Sequence, residues 1–165
     1  MRRTLPGAFA VIAVLAAVSS LFGQTAQSNP MVGTWKLNLA MSKYDPPNLA
    51  PKSQTVKYES VANGLKVSVE GIDGNGSRMA YGYTANYDGK DYPETGVGIP
   101  NGADTIAALK RIDAYTIEST GKRAGKVVQT TRRVVSKDGK MLTITAKGTN
   151  QSGQPTNTVT MYEKQ

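Results

Sequence analysis

Asn-Gly and Asp-Gly dipeptides recur between short segments of β-branched and aromatic residues, and this constrains the fold more than any other feature of the chain. They stand at Asn63-Gly64, Asp73-Gly74, Asn75-Gly76, Asp88-Gly89, Asn101-Gly102 and Asp138-Gly139. Asn, Asp and Gly accept the positive φ of type I′ turns, whose twist matches that of two paired strands. The segments between them read as strands at 31–39, 54–61, 65–72, 78–87, 105–112, 115–120, 126–136, 141–148 and 157–164. Val56 and Tyr58 alternate with Lys57 and Glu59; Leu65, Val67 and Val69 face one side; Met79, Tyr81, Tyr83, Ala85 and Tyr87 share a face. A period of two marks a strand buried on one face.

The expected fold class is therefore all-β, an antiparallel up-and-down β-barrel of about eight to nine strands, because a long twisted meander closes or splits into two layers. Closure removes exposed edges, and a two-layer sandwich is the competing arrangement. Two connections are too long for hairpins. Residues 40–52 hold Pro46, Pro47 and Pro51, which forbid a regular helix, and residues 90–104 hold Pro93, Pro100 and several glycines. Both read as irregular loops that either cover one mouth of a barrel or run over the surface.

Residues 1–28 have a different character. Arg2 and Arg3 precede an apolar run from Ala8 to Val18, which continues through Leu21 and Phe22 before small and polar residues take over. This is the order of a secretory signal peptide, with cleavage expected between Gly23 and Asn29. The apolar stretch is near the lower limit for a membrane span, so an uncleaved anchor is the alternative. The expected organisation is a leader at 1–28 and one domain at 29–165, secreted or periplasmic, meeting a membrane only through the leader before cleavage. The formal net charge is +8, with two positive charges in the leader, Arg2 and Arg3. Moderate basicity suits an anionic surface or an acidic ligand.

The chain contains no Cys and no His. That excludes a disulfide framework, a thiol nucleophile, thiolate and imidazole metal sites, and both Ser-His-Asp and Cys-His catalysis. No metal or cofactor is expected. Nucleic acid is not an expected partner either, because the basic residues late in the chain have no interleaved aromatic platform for stacking bases.

The opening Val32-Gly33-Thr34-Trp35-Lys36-Leu37 and the ending Thr160-Met161-Tyr162-Glu163-Lys164 frame a meander that resembles the calycin group, the lipocalins and fatty-acid-binding proteins. The chain is also similar to small secreted bacterial proteins described as lipocalin-like. The resemblance implies a closed barrel around a cavity for a small apolar or amphipathic molecule. It implies that Trp35, following Gly33, plugs the closed end, with Lys164 as a cover over its ring. Two departures stand out. Fatty-acid-binding proteins hold a ligand carboxylate with an Arg and a Tyr of the last strand; Tyr162 matches, but Thr160 occupies the Arg position. The proline-rich segment 40–52 cannot supply their helical lid.

The ligand-binding expectation rests on Tyr81, Tyr83 and Tyr87, on Arg132 and Arg133, and on Tyr162. Tyrosines offer apolar walls with a hydroxyl for a polar head, although the same row serves equally as core or surface packing. Adjacent residues of a strand point to opposite faces, so one of Arg132 and Arg133 is a candidate inward anion anchor, unless a bulge or strand end leaves both in water. Asp88, Asp91, Glu94 and Asp104 match no ordered calcium loop and read as turn and solubilising residues. The functional expectation is a non-catalytic, exported binder of a small hydrophobic or amphipathic ligand. The alternatives are an envelope interaction protein, an inhibitor or scaffold on a packed barrel, and an enzyme using two titratable groups in the cavity.

Overall fold

The computed structural model describes residues 29–165; the expected leader at 1–28 lies outside the described residues. The chain forms β1 (Gly33–Asp45), β2 (Ser53–Val61), β3 (Gly64–Ile72), β4 (Arg78–Asn86), β5 (Tyr92–Pro93), β6 (Thr95–Val97), β7 (Thr105–Arg111), β8 (Thr116–Arg123), β9 (Lys126–Val135), β10 (Met141–Thr149) and β11 (Pro155–Lys164). Two 3-10 turns, Pro47–Leu49 and Pro100–Gly102, lie in the connections. All pairings are antiparallel within one 11-stranded sheet, in the order β5-β7-β8-β9-β10-β11-β1-β2-β3-β4-β6. This is an all-β, nearly closed barrel, as the alternation predicts.

The strand count exceeds the expected eight to nine because residues 90–104 are not purely irregular. Tyr92 and Pro93 pair with Ile106 and Thr105 of β7, while Thr95 to Val97 pair with Gly82 to Ala80 of β4. β5 and β6 are thus two halves of one short segment, interrupted at Glu94, that bridges the two ends of the meander. The first connection also shrinks, because β1 runs on to Asp45. Its pairing with β11 slips between Asn38 and Lys43, and Ser42 stitches the bulge by donating to the Asn38 carbonyl (2.8 Å) and accepting from the Met161 amide (3.0 Å).

The turn chemistry differs from the expectation in detail. Both residues take positive φ only at Asn101-Gly102, which is not a hairpin. At the Asp-Gly sites the aspartate acts through its side chain: the Oδ1 atoms of Asp88 and Asp138 accept the amides of Lys90 and Lys140, and only Gly89 and Gly139 turn left-handed. The β8–β9 hairpin turns at Ala124-Gly125 with φ of 48 and 77°, a position without an Asn or Asp signal.

The interior divides along the barrel axis. At one end Met31, Trp35, Leu65, Ala85, Leu109, Ile117, Val135 and Leu142 are buried in one cluster. Trp35 is fully buried, donates from Nε1 to the Met31 carbonyl (2.9 Å), and lies opposite Lys164 in register, whose Nζ is 5.1 Å from the ring centroid. Gly33 holds φ +139°, and a Cβ there would meet Lys164 Cε at 2.8 Å, so glycine lets the lysine lie over the indole.

Candidate functional site

Above the Trp35 cluster the barrel is not filled. A cavity of about 250 Å³ occupies the other end. At about 30 Å³ per water-sized group, it has room for a chain of roughly eight heavy atoms. Its walls differ in chemistry. Val56, Tyr58, Val67, Val69, Met79, Tyr81 and Tyr83 of β2–β4 form an apolar and aromatic side. Gln129, Thr131, Thr156, Thr158 and Thr160 of β9 and β11 form a polar side. The polar side also follows from alternation: the period-two residues of β11 that end in Tyr162 are threonines, so the strand turns Thr156, Thr158 and Thr160 inward.

Both long connections reach this mouth. Leu49 and Pro51 come from the first, and residues 98–101 and Ala103 from the second. The second is anchored across the polar wall by Asn101, whose Nδ2 donates to Gln129 Oε1 (3.0 Å) and Thr156 Oγ1 (3.3 Å) and whose carbonyl accepts from Arg123 (2.7 Å). Asn101 carries this load at φ 56°, which Asn tolerates better than most residues.

β9 decides which arginine faces inward. Arg133 is 8% exposed and lines the cavity, directly above Val135 of the packed end. Arg132 is exposed and pairs with Glu118 across β8. The Arg133 guanidinium donates to Ser119 Oγ at 2.8 Å and lies beside the Tyr58 phenol, but its Nε has no protein partner. None of the ion pairs among the described residues involves it. Burial works against its charge, yet Tyr83, Tyr58 and Glu94 around it favour the cation, and its pKa stays above the ordinary arginine value.

The candidate tyrosines separate. Tyr81 and Tyr83 line the cavity, and the Tyr83 hydroxyl is buried without a partner. Tyr87 packs against the core cluster and does not line the cavity. Tyr162 lines it from β11 and donates to Gln54 Oε1 at 2.5 Å. Thr160, at the position of the missing arginine, donates to the Ile144 carbonyl (3.1 Å). Burial is the main cause that raises the phenol pKa values of Tyr58, Tyr81, Tyr83 and Tyr162. All four therefore stay neutral hydroxyls near neutral pH.

Glu94, expected among the turn and solubilising acids, instead reaches the cavity. Burial pushes its pKa up to about 7 against the opposing pull of Arg133. The other acids of that group disperse: Asp91 pairs with Lys122 (2.6 Å), Asp88 accepts from Tyr92 (2.8 Å), and Asp104 accepts from the Ala124 amide (3.0 Å). Alternation from Pro93 would have signalled Glu94, had the segment been recognisable as a strand. No family model matches the chain, and no curated protein matches it significantly.

Proposed function

We propose that this chain is an exported, lipocalin-like, non-catalytic binder of a small amphipathic molecule with an anionic head. The observation that carries the reading is Arg133: a buried cation at the floor of a cavity, with a free Nε and no ion-pair partner. A buried charge without a direct ion-pair partner is expensive; Glu94 lines the same cavity but forms no ion pair with it, and a carboxylate or similar anion supplies that partner. The free Tyr83 hydroxyl is a second donor in the same cavity. The ligand's apolar part would lie against Val67, Val69 and Met79, with its polar edge toward the threonine wall. The cavity favours this reading over an interaction protein built on a packed barrel.

The test is native mass spectrometry of the purified protein alongside Arg133→Met. A small anionic adduct on the wild type that the variant lacks is the expected result. A wild type that carries no adduct, and gains none when exposed to octanoate, would defeat the reading.

A further inference from the structure

We propose that Glu94 sets the charge of the ligand that the barrel accepts, holding a single anion while its own carboxyl is neutral and weakening that hold when it ionises. The inference rests on the ligand-binding reading above. Glu94 sits at the break between β5 and β6, the segment that fills the space between β4 and β7. Strand alternation exposes Pro93, Thr95 and Val97 and turns Glu94 toward the cavity that Arg133 shares.

The charged and titratable neighbours leave Glu94 as the variable group. From β9, Arg133 keeps its proton at any physiological pH. From β4, Tyr81 and Tyr83 stay neutral, as do Tyr58 from β2 beside Arg133, Tyr44 from β1 and Tyr162 from β11. β7 faces the cavity with Ile106, and the acids near that strand are engaged outside, Asp91 with Lys122 and Asp104 with Thr105 and the Ala124 amide. At the mouth, Asp73 Oδ1 accepts the amides of Asn75 and Ser77. With Glu94 neutral, the cavity floor carries one cation and no counter-charge. With Glu94 ionised, the protein supplies its own anion, and an anionic ligand has to compete with it for Arg133. The raised Glu94 pKa puts this change close to neutrality.

The experiment is calorimetric titration of the protein with octanoate and with octanol, from about pH 6 to about pH 8.5, a range in which a free carboxylate stays ionised. If only the Glu94-neutral state binds the anion, the octanoate Kd rises about tenfold per pH unit above the Glu94 midpoint. Octanol affinity stays flat. Glu94→Gln binds octanoate at every pH at least as tightly as the wild type does at the acid end. By reciprocity, saturating octanoate must also raise the Glu94 midpoint followed by carboxyl carbon NMR, a readout that needs no variant. A flat octanoate profile in the wild type, or an unmoved midpoint, overturns the role of Glu94 while leaving ligand binding intact. No octanoate binding at any pH, in wild type and variant alike, overturns both.

Discussion

Arg133→Met distinguishes a ligand anchor from a structural tie. Methionine keeps an unbranched side chain of similar reach and removes the charge. The wild-type guanidinium is 8% exposed, donates to Ser119 at 2.8 Å, interacts with the Tyr58 phenol, leaves Nε free and has no ion-pair partner among the described residues. Burying an ionised group carries an effective penalty of several kcal/mol, and a hydrogen bond to a charged donor returns about 1.5–3 kcal/mol. Removing the charge relieves the penalty but takes away the donor that Ser119 accepts from, at about 1–3 kcal/mol. The expected balance runs from no change to a gain of about 3 kcal/mol in stability. Urea unfolding followed by Trp35 fluorescence reads this directly, since the indole is fully buried when folded, and an unchanged m-value confirms that the same surface unfolds. Octanoate binding should fall at least about thirtyfold, the smaller end of what truncating a buried charge partner does. A variant that loses more than about 2 kcal/mol of stability would refute the reasoning, because it would mean that the fold depends on the buried arginine.

Trp35→Ala is expected to destabilise by about 3–5 kcal/mol through the cavity left in the closed end, measured by denaturant unfolding with circular dichroism; unchanged stability would remove its role as the plug. Ala124→Asn should stabilise by about 0.5–1 kcal/mol in thermal unfolding, because Ala124 holds φ 48° where Asn is tolerated; a lower melting temperature would contradict the turn assignment. Glu94 also ties stability to pH. Its folded pKa, about 7, lies above the ordinary glutamate value, so its contribution is full below the unfolded pKa and is lost as pH rises through the folded one. Unfolding free energy should therefore decline from about pH 5 to about pH 8 by an amount on the order of 1–3 kcal/mol, and Glu94→Gln should flatten that decline. Identical pH profiles for the two proteins would show that Glu94 is not the group responsible.

The residues alone determined the repeating architecture. Period-two alternation in β2, β3 and β4 is local chemistry, set by which side chains meet water; it grouped Val56 with Tyr58, and Tyr81 with Tyr83, on shared faces without reference to any partner strand, and the barrel turns those faces inward. Pairing between distant segments decided the rest. In β9 the sequence Lys-Val-Val-Gln-Thr-Thr-Arg-Arg-Val-Val doubles nearly every residue type, so either face reads alike. Only its register against β8 and β10 sends Arg133 inward and Arg132 out. β5 and β6 hold two and three residues, with Pro93 and Gly96 among them, too short for a periodic signal. They become strands only because β4 and β7 each present an unpaired edge to them, and that closure brings Glu94 into the cavity with Arg133.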